Sequence, residues 1–231
     1  MNRNFYLKSI VLFILLFTVP LVSENIQGYL AEGSLDPVAL LCPPPKDGTP
    51  EQKADLATTK RVSSTRTKAD VVIAQSQIKL DFFTYAPVIG SWFKEESFPV
   101  TTAFFKNVEK ETKRVTNISK NYWKRKRPYD VDASIPVIKK EESFSYPSGH
   151  STRGIVYATV LSEIFPEKKD DLLKFGYNVG WYRIIAGVHH STDIFGGRVL
   201  GQAIARELLK SPKFQADLEA VKAEINEKAP K

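Results

Sequence analysis

Three features of the sequence predict an all-α fold. Helix starts are written explicitly at several points. Apolar residues recur at spacings of three, four and seven through the stretch 102–126, and no segment shows the period-two alternation of a half-buried strand. The composition agrees: 231 residues with 42% hydrophobic and 26% charged side chains suit one globular domain with a real core, not a disordered or fibrous chain.

Taken in order, the chain begins with Arg3 and Lys8 around MNRNFYLK, followed by the 14-residue apolar run Ser9–Val22. That run is too short for the ~20 residues of a membrane span and has the length of a signal-peptide core. Residues 1–23 are therefore assigned as a signal peptide with Ser23 at the cleavage point, an uncleaved anchor being the alternative. Residues 24–48, with Asp36-Pro37 and Pro43-Pro44-Pro45, read as an extended arm, and residues 49–231 as the helical domain.

Thr49-Pro50-Glu51 opens the first helix with a capping hydroxyl, proline at the first position and a carboxylate in the first turn. A second helix is expected from about Thr65 through Val71, Val72, Ile73 and Ala74, and Phe82–Phe98 is an aromatic loop packed on the core. Val108, Val115, Ile118 and Tyr122 mark the stripe of a long amphipathic helix over 102–126, which Pro128 stops near Arg127. Further helices are expected from Ser148 to Pro166, from Lys169 to Ala186, and from Ser191 or Thr192 through Gly197, Gly201 and Ala205. Those small residues at every fourth position allow close helix approach, and Arg198, Arg206 and Glu207 make it a soluble packing face. The charged tail after Pro212 reads as a solvated helix.

The balance of 33 basic against 26 acidic residues, +7 net, suits an anionic partner without naming it. A single cysteine, Cys42, excludes an intramolecular disulfide and reads as a buried or idle thiol, not a catalytic one. The three histidines, His150, His189 and His190, all fall in or beside three clusters of chemical interest. The first is Lys120 with Arg127-Pro128. Seven residues apart, the two cations share one face of a helix and can meet one anion, although Lys124, Arg125 and Lys126 between them suit an ordinary solvated basic face. The second is Tyr146-Pro147-Ser148-Gly149-His150, where a tight turn leaves the first helical amides free; capped helix start and anion site are equally good readings. The third runs from Arg183 to His189 and Asp193. A carboxylate four residues on can fix one ring nitrogen as N–H and leave the other free to attack, or Asp193 can simply favour the helix start. His190 faces a quarter-turn away and is read as peripheral.

In this order the three clusters resemble the phosphatidic acid phosphatase type 2 (PAP2) superfamily, whose pattern is Lys-x6-Arg-Pro, Pro-Ser-Gly-His and Ser-Arg-x5-His-x3-Asp. With the leader and the Leu41-Cys42-Pro43-Pro44-Pro45 arm, the chain looks most like the bacterial class A non-specific acid phosphatases over nearly all of its mature length. Tyr182 stands where the family has serine, a departure that bears on local hydrogen bonding and substrate fit but not on the reaction. The resemblance implies a single-domain helical bundle of the acid phosphatase–haloperoxidase type. It further implies that Lys120, Arg127, Arg183, Ser148 and Gly149 bind phosphate, that His189 is the nucleophile oriented by Asp193, and that His150 is the acid and base.

A phosphoryl transition state needs positive charge about its equatorial oxygens, and three cations supply it, so no metal or other cofactor is expected. No His/Cys/carboxylate cluster has zinc-like spacing either. The expected function is an exported, periplasmic or secreted acid phosphatase acting on small phosphorylated substrates. Nucleic acid is not an expected partner, membrane contact is confined to the surface, and a homo-oligomer is allowed for. The alternatives are a soluble phosphatase of lipid or polyprenyl phosphates, a vanadium haloperoxidase and a non-enzymatic polyanion-binding protein.

Overall fold

The computed structural model describes residues 28–230; the leader assigned to 1–23, and the start of the arm, lie outside them. Ten α-helices and three short 3₁₀ turns make up its regular structure, with no strand among the described residues.

The arm is not simply extended. Asp36 caps a four-residue helix, α1 (Pro37–Leu40), by accepting from the amides of Val38 and Ala39, while Tyr29, Leu30 and Leu41 are buried in the main core. The apolar members of the arm have core to cover, and that burial outweighs the coil preference of its prolines. α2 (Pro50–Ser64) starts as expected, with Thr49 Oγ1 on the Gln52 amide. α3 (Lys68–Ser76) starts slightly later than Thr65, because Thr67 and Asp70 form a capping box. Its Val72 and Ile73 are exposed and only Ala74 is buried, so its apolar run is not its contact face. The aromatic segment Phe82–Phe98 carries a short helix, α4 (Ala86–Ile89), and buries Phe82, Tyr85, Ile89, Phe93 and Phe98.

α5 (Pro99–Trp123) is the long helix. Its buried stripe runs through Phe104, Phe105, Val108, Thr112, Val115 and Ser119 to Lys120, while Ile118 and Tyr122 lie on the exposed side, contrary to the spacing argument. After the short α6 (Pro128–Val131) come α7 (Gly149–Ile164), α8 (Lys169–Ile185), α9 (Ser191–Lys210) and α10 (Pro212–Lys228). α10 is not fully solvated: Phe214, Leu218, Val221 and Ile225 form a buried stripe, and Glu224 accepts from the Thr101 and Val100 amides at 2.8 and 3.2 Å, capping the otherwise uncapped start of α5.

α7 is the hub, packed between α8 and α9 with α5 alongside. It is apolar nearly all round, with Ile155, Val156, Tyr157, Ala158, Val160 and Leu161 fully buried. The small-residue stripe of α9 meets it as a packing face. A Cβ at Gly197 would lie 2.6 Å from the Ser148 carbonyl, and one at Gly201 2.7 Å from that of Thr152. This close approach sets the start of α9 against the start of α7, the geometry from which the site follows. Among the described residues no helix is long and apolar enough to cross a membrane.

Candidate active site

The site begins where α5 ends. Lys124 takes a left-handed conformation (φ 47°) and closes the last turn, and Pro128 forces Arg127 into extended backbone. Lys120 and Arg127 therefore do not share a helix face. Past the helix end burial alternates along the chain, with Lys124 and Lys126 outward and Arg125 and Arg127 buried. Lys120 points inward from the final turn of α5, its ammonium on the Phe144 carbonyl.

At the start of α7, Ser148 is fully buried and its Oγ accepts from the Ser151 amide, so the capping reading holds for this side chain. Its own amide donates to the Asp193 carbonyl at 3.0 Å, tying the starts of α7 and α9 together. His150, two residues on, has Nε2 3.1 Å from the Ile78 carbonyl, which can only accept, so this nitrogen carries the proton and Nδ1 is left for exchange.

Gly187 (φ +76°) turns the chain out of α8 towards His189 and passes so close to the Pro136 carbonyl that a Cβ would lie 2.4 Å from it. His189 is then held on three sides. Its carbonyl accepts from Thr59 Oγ1 at 3.0 Å, Nδ1 is 3.1 Å from Asp193 Oδ2, and Nε2 is 2.8 Å from Arg127 Nη1. A carboxylate accepts and a guanidinium donates, so the partners assign the proton to Nδ1 and the lone pair to Nε2. Asp193, fully buried, also accepts from Ser145 Oγ (2.5 Å), the His190 amide (2.9 Å) and Arg125 Nη1 (2.7 Å).

His190 is buried and turned away from this arrangement, its Nε2 3.3 Å from the Lys126 carbonyl; it is peripheral to the cavity but not to the fold. Tyr182 packs against two small apolar clusters, one holding Val62 and Ile184 and the other Tyr129 and Val188, and does not line the cavity. Cys42 is exposed and free, and its carbonyl accepts from the Tyr146 hydroxyl.

Lys120, Arg127, Gly149, His150 and His189 line one cavity of about 230 Å³, with Glu141, Ser143, Arg153 and the α5 residues Lys113, Thr116 and Asn117. A larger hollow of about 330 Å³ near Tyr29 and Lys213 holds none of these groups, so chemistry and not size singles out the site. Arg183 is brought close but does not line the cavity: it is buried and ion-paired to Glu141, which does. Among the described residues no group of three His, Cys, Asp or Glu side chains converges as a metal site would require.

Burial dominates the electrostatics. It pushes His189 well below the ordinary imidazole range, helped by the Arg127 charge and opposed by Asp193. It does the same to His150, with Arg183 and Arg153 adding to the effect. Lys120 is lowered to about 7 by burial and then by Arg127, and Arg183 to about 10 by burial, against the pull of Glu141. Asp193 behaves oppositely: burial would raise it, but the His189 hydrogen bond and the neighbouring positive charges, Arg125 among them, hold it well below the usual carboxylate range.

Sequence reasoning missed the brace behind Asp193. Arg125 joins Asp193 to Asp55 of α2 (Nη2–Oδ2 2.9 Å), and Asp55 also accepts from Thr192 Oγ1 (2.5 Å) and its amide (3.2 Å). It missed Ser145 and Glu141 as well. Only Arg125 left a usable signal, since the residues just before Pro128 had to be extended and every second one could turn inward.

Residues 111–216 match the PAP2 superfamily. The chain is 29% identical to the non-specific acid phosphatase of Salmonella typhimurium, over 93% of this chain and 92% of that protein. It is 30% identical to an acid phosphatase of Zymomonas mobilis (82% of this chain, 75% of the relative) and to the non-specific acid phosphatase of Providencia stuartii (83% and 82%). This chain belongs to the PAP2 superfamily. Its fold is shared by a solved transmembrane PAP2-type phosphatidylglycerolphosphate phosphatase from Bacillus subtilis, with a TM-score of 0.51 and 22% identity over 71% of this chain and 87% of that one. The PAP2 match takes in all the cavity residues named above, whereas Asp55 and Thr59, which brace His189 and Asp193 from α2, lie before it.

Proposed function

We propose that this PAP2 chain is an exported acid phosphatase that hydrolyses small phosphate monoesters through a phosphohistidine on His189. The chain is a phosphoric monoester hydrolase, as its acid phosphatase relatives are named. One observation carries the mechanism: His189 is held between Asp193 and Arg127 with its lone pair on Nε2, at the wall of a cavity that Lys120 and Arg127 make cationic. A polyanion-binding protein would have no use for a carboxylate that selects one imidazole tautomer.

In the proposed reaction the phosphate oxygens take up Lys120, Arg127 and the Gly149 amide, with Arg127 exchanging His189 for the substrate and Arg183 reaching it only by exchanging Glu141. Nε2 attacks phosphorus, the bond to the leaving oxygen breaks, and His150 supplies that oxygen with a proton. Water then attacks, His150 takes its proton, and the phosphorus–nitrogen bond breaks to release phosphate. The cations stabilise charge that develops in the transition state, a role that needs no metal. His150 starts with a depressed pKa in the empty cavity. Burial is the main cause, with Arg183 and Arg153 adding to it; an arriving dianion offsets the two charges and eases protonation, so turnover is favoured on the acidic side of neutrality.

A substrate panel of nucleotides, sugar phosphates, an aryl phosphate, phosphatidic acid and a polyprenyl diphosphate tests the substrate class. Turnover of the lipids alone would replace the monoester reading. Acid-free quench with labelled substrate and peptide mapping is expected to place the label on His189, and label on His190 or Ser148 would overturn the mechanism. Activity is expected to survive EDTA; loss restored by zinc or magnesium would refute the metal-free chemistry. For export, mass spectrometry of the periplasmic protein is expected to find an N-terminus between about residues 22 and 28, whereas an intact Met1 in membranes would refute cleavage.

A further inference from the structure

We propose that Arg153 forms a second anion subsite in this cavity, so that the enzyme prefers substrates carrying a second phosphate group, diphosphates or bisphosphates, over simple monoesters. The inference rests on the phosphatase reading of the site and adds the substrate class.

Arg153 lies one helical turn after Gly149 on α7, on the same face. A Cβ added at Gly149 would have Arg153 Nη1 and Lys120 Cε each 3.8 Å away, so the guanidinium and the Lys120 side chain converge over the glycine whose amide is offered to phosphate. Both line the cavity. The charge of Arg153 is felt at His150, Lys120 and Arg183, where it adds to the other causes that lower their pKa values.

Every other cation here is engaged. Arg127 binds Ser143, Val188 and His189, Arg183 pairs with Glu141, Lys120 bonds the Phe144 carbonyl, and Lys113 pairs with Glu109 at 2.7 Å. Arg153 has no hydrogen-bond or ion-pair partner among the described residues, and its Nε is buried without an acceptor. A buried donor left unpaired is costly to keep, and a guanidinium is the side chain best shaped to take phosphate oxygens in pairs. A monoester brings at most two negative charges, which Lys120 and Arg127 on the cavity wall already match. Arg153 is the surplus cation, placed beside the first phosphate where a second one would lie.

Two measurements test this on the full chain, each read as a ratio within one protein so that partial misfolding cancels. The first is calorimetric binding of inorganic pyrophosphate and orthophosphate to the His189→Ala protein, which removes turnover. Pyrophosphate is expected to bind roughly tenfold or more tightly, the scale of one charge-assisted hydrogen bond. Adding Arg153→Gln is expected to collapse that ratio towards one, and Arg153→Lys to keep part of it. The second compares kcat/KM for propyl phosphate and the bisphosphate of propane-1,3-diol, where Arg153→Gln is expected to cut the bisphosphate preference by about tenfold. A ratio that ignores Arg153, or an equal loss with both ligands, overturns the subsite. If pyrophosphate preference depends on Arg153 but nothing is hydrolysed, the phosphatase reading fails and the subsite stands. If hydrolysis proceeds with ratios indifferent to Arg153, the subsite fails and the phosphatase reading stands.

Discussion

Replacing Arg125 by Met removes the side chain that, among the described residues, joins α2 to the carboxylate behind His189. In the folded protein Arg125 binds Asp193 at 2.7 Å and Asp55 at 2.9 Å, with all three side chains buried. Removing one partner of a buried ion pair costs about 3–5 kcal/mol, chiefly because the remaining charge is stranded. Here two carboxylates lose a cation, but each keeps other donors: Asp55 retains Thr192, and Asp193 retains Ser145, the His190 amide and His189. The lower end of the range, about 3 kcal/mol, is therefore expected, which for a domain of this size lowers Tm by about 6–12 °C. The sign of the pH dependence follows from Asp193. Its pKa is depressed on folding, so its stabilisation is present above the unfolded value of about 3.9 and is lost as pH falls towards the folded one. The Tm gap is thus expected to be widest near pH 6–7 and to narrow below about pH 4. With the brace gone, His189 is less well placed, and a displacement of ~1 Å costs roughly 100-fold. A fall in kcat/KM of about 10–100-fold is expected, with a smaller loss in Asp55→Asn, which leaves the Arg125–Asp193 pair in place. Thermal unfolding by circular dichroism and aryl phosphate hydrolysis give both numbers. A Tm within about 2 °C of wild type together with unchanged turnover would refute the brace.

Four further substitutions have expected outcomes. His189→Ala abolishes the covalent intermediate and lowers turnover by several orders of magnitude. His190→Ala keeps most activity and its backbone bond to Asp193 but loses thermal stability, because a buried side chain is removed; equal losses of turnover would mean the wrong nucleophile. Lys120, with a pKa of about 7, carries its charge below that pH and loses it above, so kcat/KM falls through the neutral range, and Lys120→Arg moves the limb to higher pH. An unmoved limb removes Lys120 from the assignment. Glu141→Gln frees Arg183 from its ion pair and is expected to tighten inorganic phosphate binding severalfold. Unchanged or weaker binding would show that the pair does not compete with phosphate.

What could be read without the structure was whatever is recorded locally in the chain. Caps such as Thr49 and Ser148 are short-range hydrogen bonds with a fixed spacing, so the starts of α2 and α7 were legible almost to the residue. His189 and Asp193 stand four apart across the start of α9, and that short separation is enough to predict that they meet. The PAP2 motifs were legible for the same reason, each being a short string that shapes a turn or a helix end.

The tertiary structure decided everything that depends on which face meets which neighbour. The apolar Ile118 and Tyr122 went to solvent while the cation Lys120 was buried, because packing against α7 turned that face of α5 inward. The α10 stripe became core because Tyr29, Phe104 and the rest of the core cluster were there to receive it. Arg125 joined Asp55 across 70 residues of sequence, and Arg153 was left without a partner among the described residues, on the wall of the candidate cavity. Local strings encode hydrogen bonds that close within a turn. Ion pairs and burial across long separations are settled only when helices pack, since the same side chain is a solvated charge or a buried brace according to the surface it meets.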